Sequence, residues 1–348
     1  MNHIILGAFF GDEGKGQLVN NLCQQYSHPL CVRFSGGPQV GHNVKHNTIT
    51  HCFSNFGSGS LVGAPTYWSK YCTVDPLATL IELRVLNSYG IKPTIVYSPL
   101  CELITPLDIW YQRQDQNNRQ HGTVGTGFKA CLDRVKNGYH LTMIDALNIL
   151  VLREKVKSIL ANYYKQDKPG LLDFDLDYWI YVTNKFANNM AMTNNLNDFV
   201  CDSFIFEGSQ GILLDQKYGV MPFCTPSNTT SENAQILLKE IGQTAVTELV
   251  SRPYITRHGN GPLCTSTNIL DIKDENNLYN NFQKTFRSCK FDISLLEHSI
   301  AIENVNTRNI NLNFSHANEL SSDVLEKVSN LKTLTQINLF EFENIKTF

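Results

Sequence analysis

Gly11-Asp12-Glu13-Gly14-Lys15-Gly16 packs two carboxylates and an amine among three glycines, between a β-rich run (His3 to Phe10) and a helix-like run starting near Gln17. Strand, glycine loop, lysine and helix N-terminus together make a phosphate cradle, because loop N–H groups and the positive end of the helix both face an anion. The spacing departs from the standard Gly-x4-Gly-Lys-Ser/Thr loop: Phe9 stands at the first glycine, and Gly16 stands where a hydroxyl would hold magnesium. Asp12 is then the nearest carboxylate for a metal. The alternative is a strand-to-helix turn whose charges are merely solvated, a costly use of three glycines. A second glycine loop, Ser35-Gly36-Gly37-Pro38-Gln39-Val40-Gly41-His42-Asn43, follows another apolar run. Taken alone, its His42 is an ordinary surface or satisfied histidine.

Elements able to position two such loops recur along the chain. Short apolar runs ending in glycine-bearing loops read as strands at His3 to Phe10, Cys31 to Phe34, Thr94 to Ser98, Ser203 to Phe206 and Pro253 to Thr256. Helical stretches alternate with them at Gln17 to Gln25, Leu77 to Ser88, Met143 to Asn162 and Ser231 to Leu249. That alternation predicts an α/β fold with a mainly parallel central sheet flanked by helices, and ligands at the carboxyl ends of the strands. No repeat and no Pro- or Gly/Ser-rich linker divides the chain, so residues 1–348 read as one domain. The tail beyond Asn318 reads as packing or an edge element.

With 42% hydrophobic and 18% charged residues and a net charge of -3, the chain is neither disordered nor a general polyanion binder, so no nucleic-acid partner is expected. The N-terminus lacks the basic segment of a secretory signal, and no run reaches the roughly 18 apolar residues of a membrane span. A cytoplasmic protein without membrane contact is the expectation. The ten cysteines are scattered without a Cys-x-x-Cys pair and read as reduced, mostly buried side chains.

The first loop and the Gly41-His42 that follows it resemble the adenylosuccinate synthetase family, which carries a Gly-Asp-Glu-Gly-Lys-Gly loop and then an Asn-Ala-Gly-His loop. Further likenesses come in the family's order: His121-Gly122-Thr123-Val124-Gly125-Thr126-Gly127, then Phe206-Glu207-Gly208-Ser209-Gln210-Gly211 continuing to Asp215, then Pro222 to Thr230, then Thr256-Arg257-His258-Gly259-Asn260-Gly261-Pro262. The likeness spans roughly residues 3–292. It implies a P-loop-like nucleotide ligase fold and a cytosolic ligase that joins L-aspartate to C6 of a 6-oxopurine nucleotide through a 6-phosphoryl intermediate, consuming a nucleoside triphosphate. By the same resemblance Asp12 is the base at purine N1 and a Mg2+ ligand, with the Gly41 carbonyl as a second ligand. His42 is the acid at the transferred phosphoryl group, Lys15 neutralises developing charge, and Gln210 bonds the O6 region. Gly11, Glu13, Gly14 and Gly16 line the phosphate loop, and Gln39 stands at the purine edge. Thr123 and Thr225 contact the substrate phosphate, and the glycines around Gly259 admit ribose and base. The resemblance further implies a homodimer in which an arginine, here Arg134, reaches the neighbour's nucleotide phosphate.

Other positions depart from the pattern. The family's aspartate-clamping Thr-Gly-Arg-x-Arg loop is Gln283-Lys284-Thr285-Phe286-Arg287 here, leaving Lys284 and Arg287 as candidates. Val124 replaces a threonine, and Gln39-Val40 replaces Asn-Ala. The guanine-reading Lys-x-Asp falls in Asn311 to Asn318, which holds no carboxylate, so ATP joins GTP as a donor. IMP is the expected acceptor, since Asp12 is retained. The alternative is dGMP with ATP or dATP, as in compact viral relatives, which would place the protein in a host cytoplasm. A P-loop-like phosphotransferase and a catalytically dead nucleotide-binding regulator are the readings from other classes.

Overall fold

The computed structural model describes residues 1–114, 125–165, 174–263, 269–272, 286–307, 309–340 and 345–347. Thr123 and Lys284 lie outside the described residues. Asn2–Gly7 is buried along its whole length, as a strand covered by helices on both faces must be. It pairs in parallel with Ser203–Gly211 on one side and Ala245–Ser251 on the other. Beyond Ser203–Gly211 the sheet continues through Pro29–Arg33, Thr66–Trp68, Ile95–Tyr97 and Ala191–Met192; beyond Ala245–Ser251 it continues through Ile310–Phe314 and Gln336–Phe340. These pairings are all parallel. Ile345–Thr347 then closes the ten-stranded sheet as an antiparallel edge, so the tail is an edge element. The expected α/β architecture, a mainly parallel sheet flanked by helices, is the one observed.

A parallel sheet puts all its carboxyl ends on one edge. The loops that leave Gly7, Arg33, Gly211, Ser251 and Phe314 therefore meet there, although their residues are far apart in sequence. Helix Lys15–Cys23 starts at Gly14, whose φ of 96° is a left-handed value that favours glycine, and every residue of the helix is buried.

Three expectations change. Ser231 to Leu249 is not one helix. Helix Glu232–Glu240 ends before Gly242 at φ 66°, and the β-branched residues that follow enter the sheet as Ala245–Ser251, directly beside the first strand. Met143 to Asn162 breaks after Met143–Ala146, and the Asn148 side chain caps a second helix, Ile149–Ser158, accepting from the Leu150 and Val151 N–H groups. The Pro253 to Thr256 run does form a strand, Tyr254–His258, but in a separate three-stranded antiparallel sheet with Phe286–Lys290 and Ile269–Leu270. The nine described cysteines are all free, and no helix among the described residues is long and apolar enough to cross a membrane.

One buried acid makes stability depend on pH. Glu303 ends helix Ile293–Glu303 and accepts from the Ser231 N–H at 3.1 Å and its hydroxyl at 2.5 Å. Burial raises its carboxyl from 4.5 to about 7, outweighing the Ser231 bonds. Between those values the folded protein keeps a proton that the unfolded chain has released, so stability falls as pH rises through that window and levels off above it. Glu303→Gln is expected to flatten this dependence, recovering on the order of 3 kcal/mol at pH 8 relative to pH 4. Chemical denaturation at the two pH values measures it.

Candidate active site

The edge where those loops meet is hollowed into a cleft of about 1410 Å3, lined by Asp12, Lys15, Gln39, His42, Gln210 and Thr225 among others. A single-ligand pocket occupies roughly 300 to 1,000 Å3, so this cleft has room for more than one nucleotide-sized ligand.

The first loop is braced from within. Glu13 accepts from the Phe9 N–H at 3.1 Å and the Gly11 N–H at 2.8 Å through Oε1, while Lys15 Nζ donates to Oε2 at 3.0 Å. The Glu13 carboxylate thus shapes the cradle and holds the lysine, while Glu13 itself lines the cleft. Lys15 is 4% exposed and lines the cleft. Asp12 sits at φ 67°, an uncommon backbone for a residue with a Cβ. Its carboxylate accepts from an Arg252 NH2 group at 3.0 Å, and its carbonyl accepts from Arg252 Nε at 2.6 Å.

The second loop is pressed against the first. A Cβ on Gly16 would lie 2.7 Å from His42 Cβ and 2.7 Å from Ser58 Oγ, so only glycine lets the helix start so close to the histidine. His42 opens the hairpin His42–His46 and Ile49–Phe53, and its Nδ1 meets Glu207 Oε1 at 2.5 Å. Glu207 also accepts from the Ser58 N–H at 3.0 Å and from the Ser58 hydroxyl. Burial alone would raise the Glu207 carboxyl, but the His42 imidazole, Arg33 and Ser58 bring it down to about 2. An ionised Glu207 fixes which ring nitrogen of His42 points inward. The other, Nε2, is buried and has no hydrogen-bond partner among the described residues; the Gln210 Oε1 and both amide atoms of Gln39 share that condition. Unpaired buried polar atoms cost about 1 to 3 kcal/mol each, and a bound polar ligand removes that penalty. Gln210 is itself at φ 47°.

The remaining expected residues separate into groups. Gly11, Gly14, Gly16, Gly41 and Thr225 line the cleft. Gly259 is buried, at φ 71°, and its carbonyl accepts from an Arg287 NH2 group at 2.6 Å; Arg287 also donates to the Gly261 carbonyl at 3.0 Å, bracing that turn. Arg134 is a correction. Its guanidinium is fully buried and donates to Asp108 at 2.9 Å, to the Leu103 carbonyl at 2.8 Å and to the Tyr139 carbonyl, so it is committed inside its own subunit. Arg134→Ala is expected to cost about 3 to 5 kcal/mol of stability by orphaning buried Asp108, without altering nucleotide affinity in the folded fraction. Thermal melts and nucleotide titration check the two halves. The exposed Lys136, two residues on, is the cation of this stretch that lines the cleft.

Sequence reasoning missed Glu207 as a partner for His42, although a carboxylate inside a buried strand must have one. It also missed Arg252, which no local pattern connects to Asp12, and Arg257. That guanidinium is 2% exposed and donates to the Phe223, Asn260 and Pro262 carbonyls. It lies opposite Arg287 in the strand register, and burial together with that neighbour lowers it to about 10.

Comparison with known proteins agrees with the geometry. Residues 4–337 match the family model described as adenylosuccinate synthetase. The adenylosuccinate synthetase of Borrelia duttonii is 27% identical over 98% of this chain and 80% of that protein, and that of Thermoplasma volcanium is 25% identical over 87% and 73%. Among solved structures, the fully ligated Plasmodium falciparum adenylosuccinate synthetase superposes with a TM-score of 0.73 at 18% identity, covering 97% of this chain and 79% of that one. The cyanophage S-2L succinoaminodeoxyadenylate synthetase, bound to dGMP and dATP, gives 0.67 at 16% identity, covering 99% and 94%. These two share the fold. The family match takes in nearly the whole chain, and the chain belongs to the adenylosuccinate synthetase family of carbon–nitrogen bond-forming ligases.

Proposed function

We propose that the protein joins L-aspartate to C6 of IMP at the expense of a nucleoside triphosphate, giving adenylosuccinate, nucleoside diphosphate and phosphate. The supporting observation is that a carboxylate in one glycine loop and an inward-facing imidazole nitrogen in the next line the same cleft, beside an unpaired glutamine oxygen. Asp12 takes the N1 proton, which leaves negative charge on O6. That oxygen attacks the γ-phosphorus and the nucleoside diphosphate departs. His42 Nε2 and Lys15 face the charge that develops on the transferred group. The aspartate nitrogen then attacks C6, and phosphate leaves with the former O6. The oxygen donors on this edge, the Asp12 carboxylate and the Gly41 carbonyl, suit magnesium. Both would hold the ion by oxygen, the ligand type magnesium takes. Bound there, magnesium would withdraw charge from the triphosphate.

Aspartate needs a cationic wall. Arg257, which lines the cleft, and Arg287 opposite it in the strand register put positive charge beside the Gly259 turn; with donors held by backbone carbonyls, they would act on aspartate through charge and by shaping that turn. For the donor, Ser315 Oγ donates to the Glu13 carbonyl at 2.8 Å, so the stretch after Phe314 borders the phosphate loop. Glu319 lines the cleft just beyond the stretch that lacks a carboxylate, and it favours guanine by accepting from N1–H and N2–H. Lys136 takes the place of Arg134 as the residue to contact a nucleotide phosphate in a homodimer.

A second reading, dGMP as acceptor, rests on the two unpaired acceptor oxygens of Gln39 and Gln210: one can take N1–H and the other the 2-amino group that IMP lacks. A substrate panel decides. Purified protein with GTP, ATP or dATP, aspartate, and IMP or dGMP is expected to release phosphate only when aspartate and IMP are both present. Release with dGMP alone among acceptors selects the second reading, and release without aspartate contradicts both.

A further inference from the structure

We infer that Arg252 is the positioning residue for Asp12, holding its carboxylate in the orientation that turnover requires; this rests on the reading of Asp12 as the base. Arg252 follows the strand Ala245–Ser251, and Asp12 lies in the loop after the neighbouring strand Asn2–Gly7, so the two meet because those strands pair. The guanidinium grips Asp12 twice, through the backbone carbonyl at 2.6 Å and the carboxylate at 3.0 Å. One fork can satisfy both acceptors only if the residue's carbonyl and carboxylate face the same side. Asp12 achieves that at φ 67°, a conformation that costs a side-chain-bearing residue about 1 to 2 kcal/mol. The grip therefore selects the strained backbone together with the direction of the side chain.

Arg252 is itself fixed. It is 6% exposed, its NH1 group donates to the Tyr254 hydroxyl at 3.3 Å, and its guanidinium carbon stands 5.7 Å from the centre of the Tyr254 ring. A rigid planar fork suits such a task, whereas a lysine's donors sit on one compact, rotatable nitrogen and cannot span two separated acceptors in a fixed geometry. Arg252 and Tyr254 both line the cleft with Asp12, so the clamp belongs to the site and not to the core behind it.

The test compares Arg252→Gln and Arg252→Lys with wild type, in steady-state kinetics on the active substrate pair and in nucleotide binding. Displacing a reacting group by about 1 Å can cost on the order of 100-fold in rate. Arg252→Gln is accordingly expected to lose about 100-fold in kcat, with KM for both nucleotides and the binding constant within about threefold. Arg252→Lys, which keeps a cation on the carboxylate, is expected to recover about tenfold of that loss. The inference is overturned if kcat of Arg252→Gln stays within about threefold of wild type, or if kcat, KM and nucleotide binding all deteriorate together with no recovery in Arg252→Lys, the pattern of a purely structural residue. Asp12→Asn in the same assay separates the two ideas. If that variant is inactive while Arg252→Gln is normal, only the clamp fails; if Asp12→Asn is fully active, the base assignment fails with it.

Discussion

Asp12→Asn is expected to lower kcat by about 10³-fold while nucleotide binding and the melting temperature stay close to wild type. Asparagine is the informative replacement because it tolerates the left-handed backbone at φ 67° and keeps an oxygen for the Arg252 fork. What it loses is the ability to take a proton. Phosphoryl transfer to O6 needs the N1 proton gone, since a neutral amide oxygen is a weak nucleophile, so the loss falls on the chemical step. Steady-state kinetics with either acceptor measures it, and activity within about tenfold of wild type would refute Asp12 as the base.

His42→Ala is expected to fail twice. The transferred phosphoryl group loses the imidazole that faces it, whose Nε2 donates when the ring is protonated against Glu207, a defect of about 10² to 10³ in kcat. Glu207, ionised and fully buried, loses its closest partner and keeps Ser58 and the nearby Arg33 charge, a loss that costs roughly 3 kcal/mol of stability. Combining His42→Ala with Glu207→Gln removes the charge and is expected to restore most of the melting temperature with no gain in turnover. Recovery of activity in the double variant would show that His42 matters only by keeping Glu207 satisfied.

The sequence made the phosphate cradle legible because its chemistry is local: glycines, a lysine and a helix start within one stretch, Gly11 to Gly16. His42 acquired meaning only through the ordered run of motifs, and its partner Glu207 comes from Ser203–Gly211, the strand paired with Pro29–Arg33 but far from it in sequence. Ala245–Ser251 was hidden because helix and strand abut with only a short turn at Gly242, and their apolar residues merge into one continuous pattern. Arg134 was misjudged for a related reason. Residue type alone cannot tell a surface cation from one whose donors are taken by Asp108 and two carbonyls, and that distinction depends on the packing of helix Phe128–Lys136 against Pro106–Gln114. Arg257 and Arg287 show the same limit across an antiparallel register: neither sequence neighbourhood predicts that they stand opposite each other.

The central claim is that O6 of the purine is phosphorylated before aspartate displaces it. An acceptor nucleotide carrying 18O at C6 tests this directly, by mass spectrometry of the inorganic phosphate released during a single turnover with aspartate and triphosphate. The account predicts one 18O atom in each phosphate formed, because the oxygen leaves bonded to phosphorus. Unlabelled phosphate alongside aspartyl product that has lost its 18O to water would contradict it.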